Sequence, residues 1–245
     1  MQRPSTASFE VTHSVEPAET LIAGFSTFGL AGLTAVDYLV NQLDMEATGY
    51  VTAAELPAIT PFEDGRPRHH TRLFSRQSLG MSVLVNELFV PVWAADPFAE
   101  AILDWTKAHG VEEVVVLSGV PVPHGPDEHK AFYVATDDYR TSRFPDGAIP
   151  PMGGGFLDGI NASLVQRGMD TDLKVCVYIT PVHAQAPDVE AAIRLVEVVE
   201  TVYDIDIDVT ELEAFAGEVQ EYYRDLAERV EATEPAIRPE DRMYM

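Results

Sequence analysis

Lysine is almost missing from this sequence. Among 245 residues there are three, Lys107, Lys130 and Lys174, beside thirteen arginines, and against them stand 40 acidic residues, for a formal net charge of −24. This balance excludes a nucleic-acid binder, whose phosphate contacts need the opposite sign. Cysteine is scarcer still. The single Cys176 lies in the apolar run LKVCVYIT, so no disulfide forms within the chain and a buried structural thiol is expected rather than a reactive one. No apolar run approaches the ~18 residues of a membrane helix. The opening MQRPSTASFE lacks a basic stretch followed by an apolar one, so the chain reads as cytoplasmic.

What is present is a globular composition. With 46% apolar residues the chain can bury a sizeable core. The acidic residues are spread over every segment instead of gathered in one arm, which points to solvation rather than to a binding tail. The pattern resembles that of proteins from extreme halophiles, where molar salt shortens the Debye length to about 3 Å and mutes self-repulsion. The charge therefore reports habitat more than function.

Strand and helix signals alternate, which predicts an α/β sandwich. TLIAGFS reads as a short strand, and FGLAGLTAVDYLVNQL as a helix with Phe28, Val36, Leu39, Val40 and Leu43 at helical spacing. ATGYVTA is a strand, and AAELPAITPFEDGRPRHH a long loop. TRLFSR and MSVLVNELFVP flank QSLG as a hairpin. Asp96 as N-cap, Pro97 at the first helical position and Gly110 at the end frame a helix, followed by the buried strand VEEVVVLSGV. HKAFYVAT is a strand, PDGAIPPMGGG a loop into the helix FLDGINASLVQRG, and DLKVCVYIT a further strand. The helix from Asp188 to Tyr203 is apolar on more than one face and must be covered from two sides. The last helix opens on a capping box, Thr210 to Glu213, and carries a narrow seam of Leu212, Phe215, Val219, Tyr222 and Leu226, read as a helix lying on its own domain rather than an intersubunit coiled coil. The organisation expected is one α/β domain over 1–231 and a tail over 232–245.

Chemistry-bearing patterns are sparse. Gly24, Gly29 and Gly32 stand at a strand-to-helix turn where backbone amides could cradle an anion, yet no dinucleotide fingerprint or P-loop is formed, and close helix–sheet packing explains them as well. Gly153, Gly154 and Gly155 precede a helix carrying Asp158 and Asn161, a pattern that a mobile active-site loop can show but that more often marks a hinge or a tight approach of backbone to a neighbour. His69 and His70 are adjacent and point apart. His124 and His129 flank Asp127 and Glu128 in a surface segment, and no HExxH, C-x-x-C or Gly-x-Ser-x-Gly occurs. Ser118 in LSGV ends a strand rather than forming a nucleophile elbow. Glu87 is read as solvent-facing by default, with a buried acid as the alternative. No cofactor, metal or catalytic residue is expected from local motifs.

The succession of GFSTFGLAGLTAVDYLVNQLDMEATGYV, VLVNELFVP, VVVLSGV and GGGFLDGINASLVQRG resembles, in order, the proteasome assembly chaperone family named for the second member of the eukaryotic pair. Gly29, Gly32, Tyr38 and Leu39 take the places of its Gly-x-x-Gly helix start and aromatic-Leu pair, and the likeness covers most of residues 18–205. It implies a three-layer α/β/α sandwich similar to that of nucleoside phosphorylases, whose chemistry does not come with the fold. It also implies an archaeal, homo-oligomeric protein that engages the α-subunits of the proteasome core particle.

On that resemblance, the closing Met243, Tyr244 and Met245 match the hydrophobic-Tyr-any ending by which such proteins dock between α-subunits, with the terminal carboxylate paired to a pocket lysine. The 14 residues of 232–245 span roughly 40 Å when extended. Three functions remain open: a non-enzymatic, tail-docking assembly or regulatory factor; an enzyme on a phosphorylase-like fold acting on a nucleoside or small acid; and a plain oligomeric scaffold in which the tail packs on a neighbouring subunit.

Overall fold

The computed structural model describes residues 7–122, 125, 129–144, 147–183 and 187–233, and at 220 and 223–233 it describes the backbone alone. In chain order the first half contains β1 (Ser8–His13), β2 (Thr20–Phe25), α1 (Ala31–Gln42), β3 (Glu46–Ala54), β4 (Phe62–Glu63), β5 (Arg66–Pro67), β6 (Thr71–Arg76) and β7 (Met81–Asn86). The second half contains α2 (Val92–Ala108), β8 (Glu113–Val120), β9 (Phe132–Ala135), α3 (Asp137–Arg143), α4 (Gly159–Met169), β10 (Lys174–Pro181), α5 (Val189–Tyr203) and α6 (Thr210–Thr233).

Eight of the strands form one mixed sheet in the order β1-β3-β6-β7-β2-β8-β10-β9. The four middle strands, β7, β2, β8 and β10, run parallel, and antiparallel neighbours extend the sheet on both sides. Strands buried on both faces read as continuous apolar runs, as Leu21–Phe25 and Val114–Leu117 do. Their side chains alternate between two cores. Ile22, Val83, Val115, Leu117 and Cys176 face α1 and α5, whereas Leu21, Ala23, Val114, Val116 and Val177 face α2 and α4. The expected α/β sandwich, with helices on both faces of a sheet, is therefore the observed fold.

α5 is covered from two sides, by α1 and the sheet and by α6, as its all-round apolar surface requires. In α6, Leu212 and Ala216 are buried and Val219 packs beside them, while Phe215 and Tyr222 are exposed, so only part of the seam lies on the body.

The structure departs from the local reading in several places. β1, absent from the periodicity reading, is an edge strand that pairs with β3 through an alternating half-buried pattern. α2 starts at Val92, with Pro91 as its cap, so Pro97 lies inside the helix. Asp96 caps nothing and instead accepts a 2.6 Å hydrogen bond from Ser163 Oγ of α4. α4 starts at Gly159 after Asp158, three residues later than its apolar pattern, because Phe156 is fully exposed and packs on nothing that would hold a further turn. At α6 the capping box does not form. Asp208 Oδ1 accepts from Thr210 N at 3.0 Å, and Glu213 N is already taken by Val209 O at 2.9 Å.

Candidate functional site

The carboxyl ends of β2, β7 and β8 open into a cleft of about 640 Å3, where ligands of open α/β sheets commonly bind. Its floor is Phe25, Asn86, Ser118 and Gly119, and its walls are the turn after β2, the segment from Leu88 to Val92, and the start of α4 from Asp158 to Asn161. The position follows from chain direction. After β2 the chain turns back through α1 to one side of the sheet, and after β7 it crosses through α2 to the other, so the two connections part above β2.

The polar side chains on this floor are engaged by their neighbours. Asn161 Nδ2 donates to Ser118 Oγ at 3.0 Å. Asn86, fully buried, accepts from Thr71 Oγ1 at 2.6 Å and donates through Nδ2 to Leu88 O at 2.7 Å. Thr27 Oγ1 is buried without a hydrogen-bond partner among the described residues. Asp158 is the only ionisable residue among the described lining, which otherwise consists of apolar and amide or hydroxyl groups. Such a lining can hold an apolar body and offer it hydrogen bonds. It does not pair a nucleophile with a base. Phe28, Phe89 and Val92 project from the same walls with 57%, 65% and 74% of their surface exposed, and Trp93 follows at 58%.

The glycines of the first turn lie at the root of this cleft. A Cβ on Gly32 would stand 1.9 Å from Leu117 O, and one on Gly24 would stand 2.3 Å from Gly32 O, so here the backbones of β2, α1 and β8 touch directly. Gly29, at φ +65°, lines the cleft and is followed by Leu30, also left-handed at φ 52°. Its carbonyl accepts from Asp188 N at 2.8 Å. Gly153, Gly154 and Gly155 lie apart from that cluster, with nothing within 4 Å of an added Cβ and φ +151° at Gly155. Met243, Tyr244 and Met245, and His124, lie outside the described residues.

Other singled-out residues have structural surroundings. The His69 ring stacks on Tyr50 at 3.7 Å, and burial, then the neighbouring His69, lowers the pKa of His70. Glu87 sits just past β7, half-buried, with Arg68 at 2.8 Å and Arg72 at 3.6 Å, so it is neither solvent-facing nor an unpaired acid. Cys176 is fully buried, and desolvation pushes its thiol pKa well up, which leaves no thiolate to react. Sequence reasoning passed over the buried network at the start of β8. There Glu113, 4% exposed, pairs with Arg143 Nε at 3.0 Å and accepts from Tyr203 OH, and Tyr139 OH lies 2.9 Å from Tyr178 OH. Glu113 sits in the run VEEVVV, where an acid beside apolar residues was the signal. Its partners are 30 and 90 positions away.

These features define an α/β protein with helices on both faces of a mixed sheet and a largely apolar cleft at its strand ends. The chain belongs to the PAC2 family, whose model matches residues 21–227. No curated protein sequence matches it. Among solved structures it is similar to Pyrococcus furiosus PbaA, described as an archaeal homolog of proteasome-assembly chaperone, with 21% identity, coverage of 93% of this chain and 100% of that one, and a TM-score of 0.78. It is similar also to Pyrococcus furiosus PbaB, described as an archaeal proteasome activator, at 16% identity, 90% and 99% coverage and a TM-score of 0.75. A Thermoplasma acidophilum protein of unknown function aligns at 22% identity, 87% and 90% coverage and a TM-score of 0.72. At these identities the likeness establishes the fold. No helix among the described residues is long and apolar enough to cross a membrane.

Proposed function

We propose that this PAC2 protein is a non-enzymatic, proteasome-binding assembly or regulatory factor, acting in the cytoplasm as a homo-oligomer that docks its C-terminal residues on the α-subunits of the core particle. Membership of the PAC2 family across residues 21–227 is the observation that carries the reading. The full-length likeness to PbaA and PbaB, themselves described as a chaperone homolog and a proteasome activator, supports it. The exposed Phe28, Phe89, Val92 and Trp93 are surface that a second copy would cover. The charge of −24 fits a halophilic archaeal setting.

In this proposal 1–231 acts as one folded unit and 232–245 as the tail. α6 carries the backbone to Thr233, from which 12 residues remain in this sequence, about 37 Å of extended chain. Met243, Tyr244 and Met245 supply two apolar anchors around a tyrosine, the side chains of a linear docking motif. An oligomer multiplies such a weak motif by effective concentration.

The test is binding of full-length protein to intact core particles in molar potassium chloride, beside a variant lacking residues 243–245 and another extended by one glycine, with oligomeric mass followed by light scattering. Binding lost in both variants at unchanged mass is the expected result. Equal binding by all three, or none by the full-length chain, overturns tail docking. A second reading, a small-molecule enzyme on this fold, is favoured only by the cleft volume; ligand-dependent thermal stabilisation that survives tail deletion would support it.

A further inference from the structure

At the other end of α2 from the cleft-lining Val92, the end of β1 and the end of α2 bring two histidines and a glutamate together. His13 is the last residue of β1, Glu16 follows in the next turn, and His109 is the C-terminal cap of α2. One ring nitrogen of each histidine and a carboxylate oxygen of Glu16 lie within 4.8 Å of one another. The two imidazoles meet edge to face with centroids 4.3 Å apart, and the Trp105 ring lies 5.8 Å from one and 6.0 Å from the other.

The backbone on each side is anchored. Ser14 N and Oγ both donate to Thr48 O, at 2.8 and 3.2 Å, and Gln77 Nε2 donates to Glu16 O at 2.7 Å. His109 N is shared between Trp105 O at 3.2 Å and Thr106 O at 3.3 Å. His13 pairs with Gly49 of β3, where an added Cβ would meet Thr12 O at 2.3 Å, so the strand carrying His13 lies as close as a glycine permits.

The hydrogen bonds also orient the rings. His13 Nδ1 is 3.0 Å from Val15 O. A carbonyl only accepts, so Nδ1 carries the hydrogen and Nε2 keeps its lone pair, the arrangement by which metal-ligating histidines are held in one tautomer. His109 Nδ1 lies 2.8 Å from Glu16 Oε2, a carboxylate that also only accepts, so without an ion this nitrogen carries the hydrogen, and an ion held between the two releases that proton.

We propose that His13, Glu16 and His109 form a site for one divalent transition-metal ion of borderline softness, zinc being the type, with the remaining coordination left to water. Two imidazoles and a single carboxylate suit Zn2+, Co2+ or Ni2+, whereas Mg2+ and Ca2+ take sets of oxygens. Donors around a tetrahedral ion with bonds of about 2.0–2.2 Å stand roughly 3.3 Å apart. The 2.8 Å Glu16–His109 contact opens to that spacing, and torsions of the Glu16 side chain, 72% exposed, and of the imidazole rings bring the three donors around the ion. A bound ion ties edge strand β1 to the end of α2, two elements 93 residues apart at the Glu16–His109 contact. It also offsets part of a strongly negative surface.

Full-length, metal-stripped protein is titrated with Co2+, followed by its visible absorption, with excess Mg2+ present throughout and Zn2+ as competitor. The expected result is one Co2+ per chain with the band of low coordination number, displaced by Zn2+ and untouched by Mg2+, and affinity lowered about 10- to 100-fold in His13→Gln and in Glu16→Gln. Glu16 is exposed, so Glu16→Gln reports even where His13→Gln folds poorly; metal-free melting curves verify this. A spectrum that stays that of the aqueous ion, displacement by Mg2+, or equal affinity in Glu16→Gln and the parent overturns the proposal and leaves only diffuse attraction of cations to an acidic surface.

Discussion

Replacing Gly32 by alanine places a methyl group 1.9 Å from Leu117 O and 2.7 Å from Leu117 C. Reaching even a 3.0 Å contact requires a displacement of 1.1 Å. β8 cannot supply it, being hydrogen-bonded to β2 on one side and β10 on the other. α1 must therefore lift from the sheet, and with it the fully buried Ala31, Ala35, Val36 and Leu39. A gap of about 1 Å forfeits roughly a quarter to a half of each dispersion contact. Added to the strain of overpacking, the loss comes to about 3 kcal/mol or more. With a urea slope of about 3 kcal/mol/M, the unfolding midpoint should fall by roughly 1 M at unchanged slope and fixed protomer concentration. Gly154→Ala is the internal comparison, because nothing lies within 4 Å of its new methyl, and it should stay within about 0.5 kcal/mol of the parent. A Gly32→Ala midpoint within ~0.3 M of the parent would refute the close-approach argument.

Asp188 caps α5 by accepting from Ala191 N, His183 N and His183 Nδ1, each at 2.9 Å. Burial raises its pKa, but the bonds from His183 and Ala191 outweigh this and hold it below 3.8, so its stabilisation is complete above that value and is lost as pH falls through the lower folded one. Asp188→Ala should cost about 1–2 kcal/mol at neutral pH, with parent and variant melting curves converging in acid. Glu113→Gln leaves Arg143 without its charge partner; because Arg143 is about one-third exposed, the loss in chemical denaturation should be about 2 kcal/mol rather than the larger figure for a fully buried pair. Trp93→Ser should change unfolding by less than about 0.5 kcal/mol while lowering the mass seen by light scattering. An unchanged mass would remove this surface from the proposed oligomer contact.

Strand and helix alternation, the buried runs around Val115 and Cys176, and the two-sided burial of α5 were legible from residue order alone. Each rests on the local period of apolar side chains, which is a property of the chain before it folds. The order of segments that resembles the chaperone family was legible for the same reason. What residue order could not show were relations between distant positions. Gly24 and Gly32 read as close packing more than as an anion cradle, but only the fold shows that Gly24 meets Gly32 O and Gly32 meets Leu117 O. Asp96 read as a cap because a cap is a local device, whereas its partner, Ser163, is 67 residues away. The edge strand β1, the burial of Glu113 and the meeting of His13 with His109 likewise depend on which strands the sheet sets side by side. Local periodicity fixes which faces must be covered, and the three-dimensional packing of the whole chain decides what covers them.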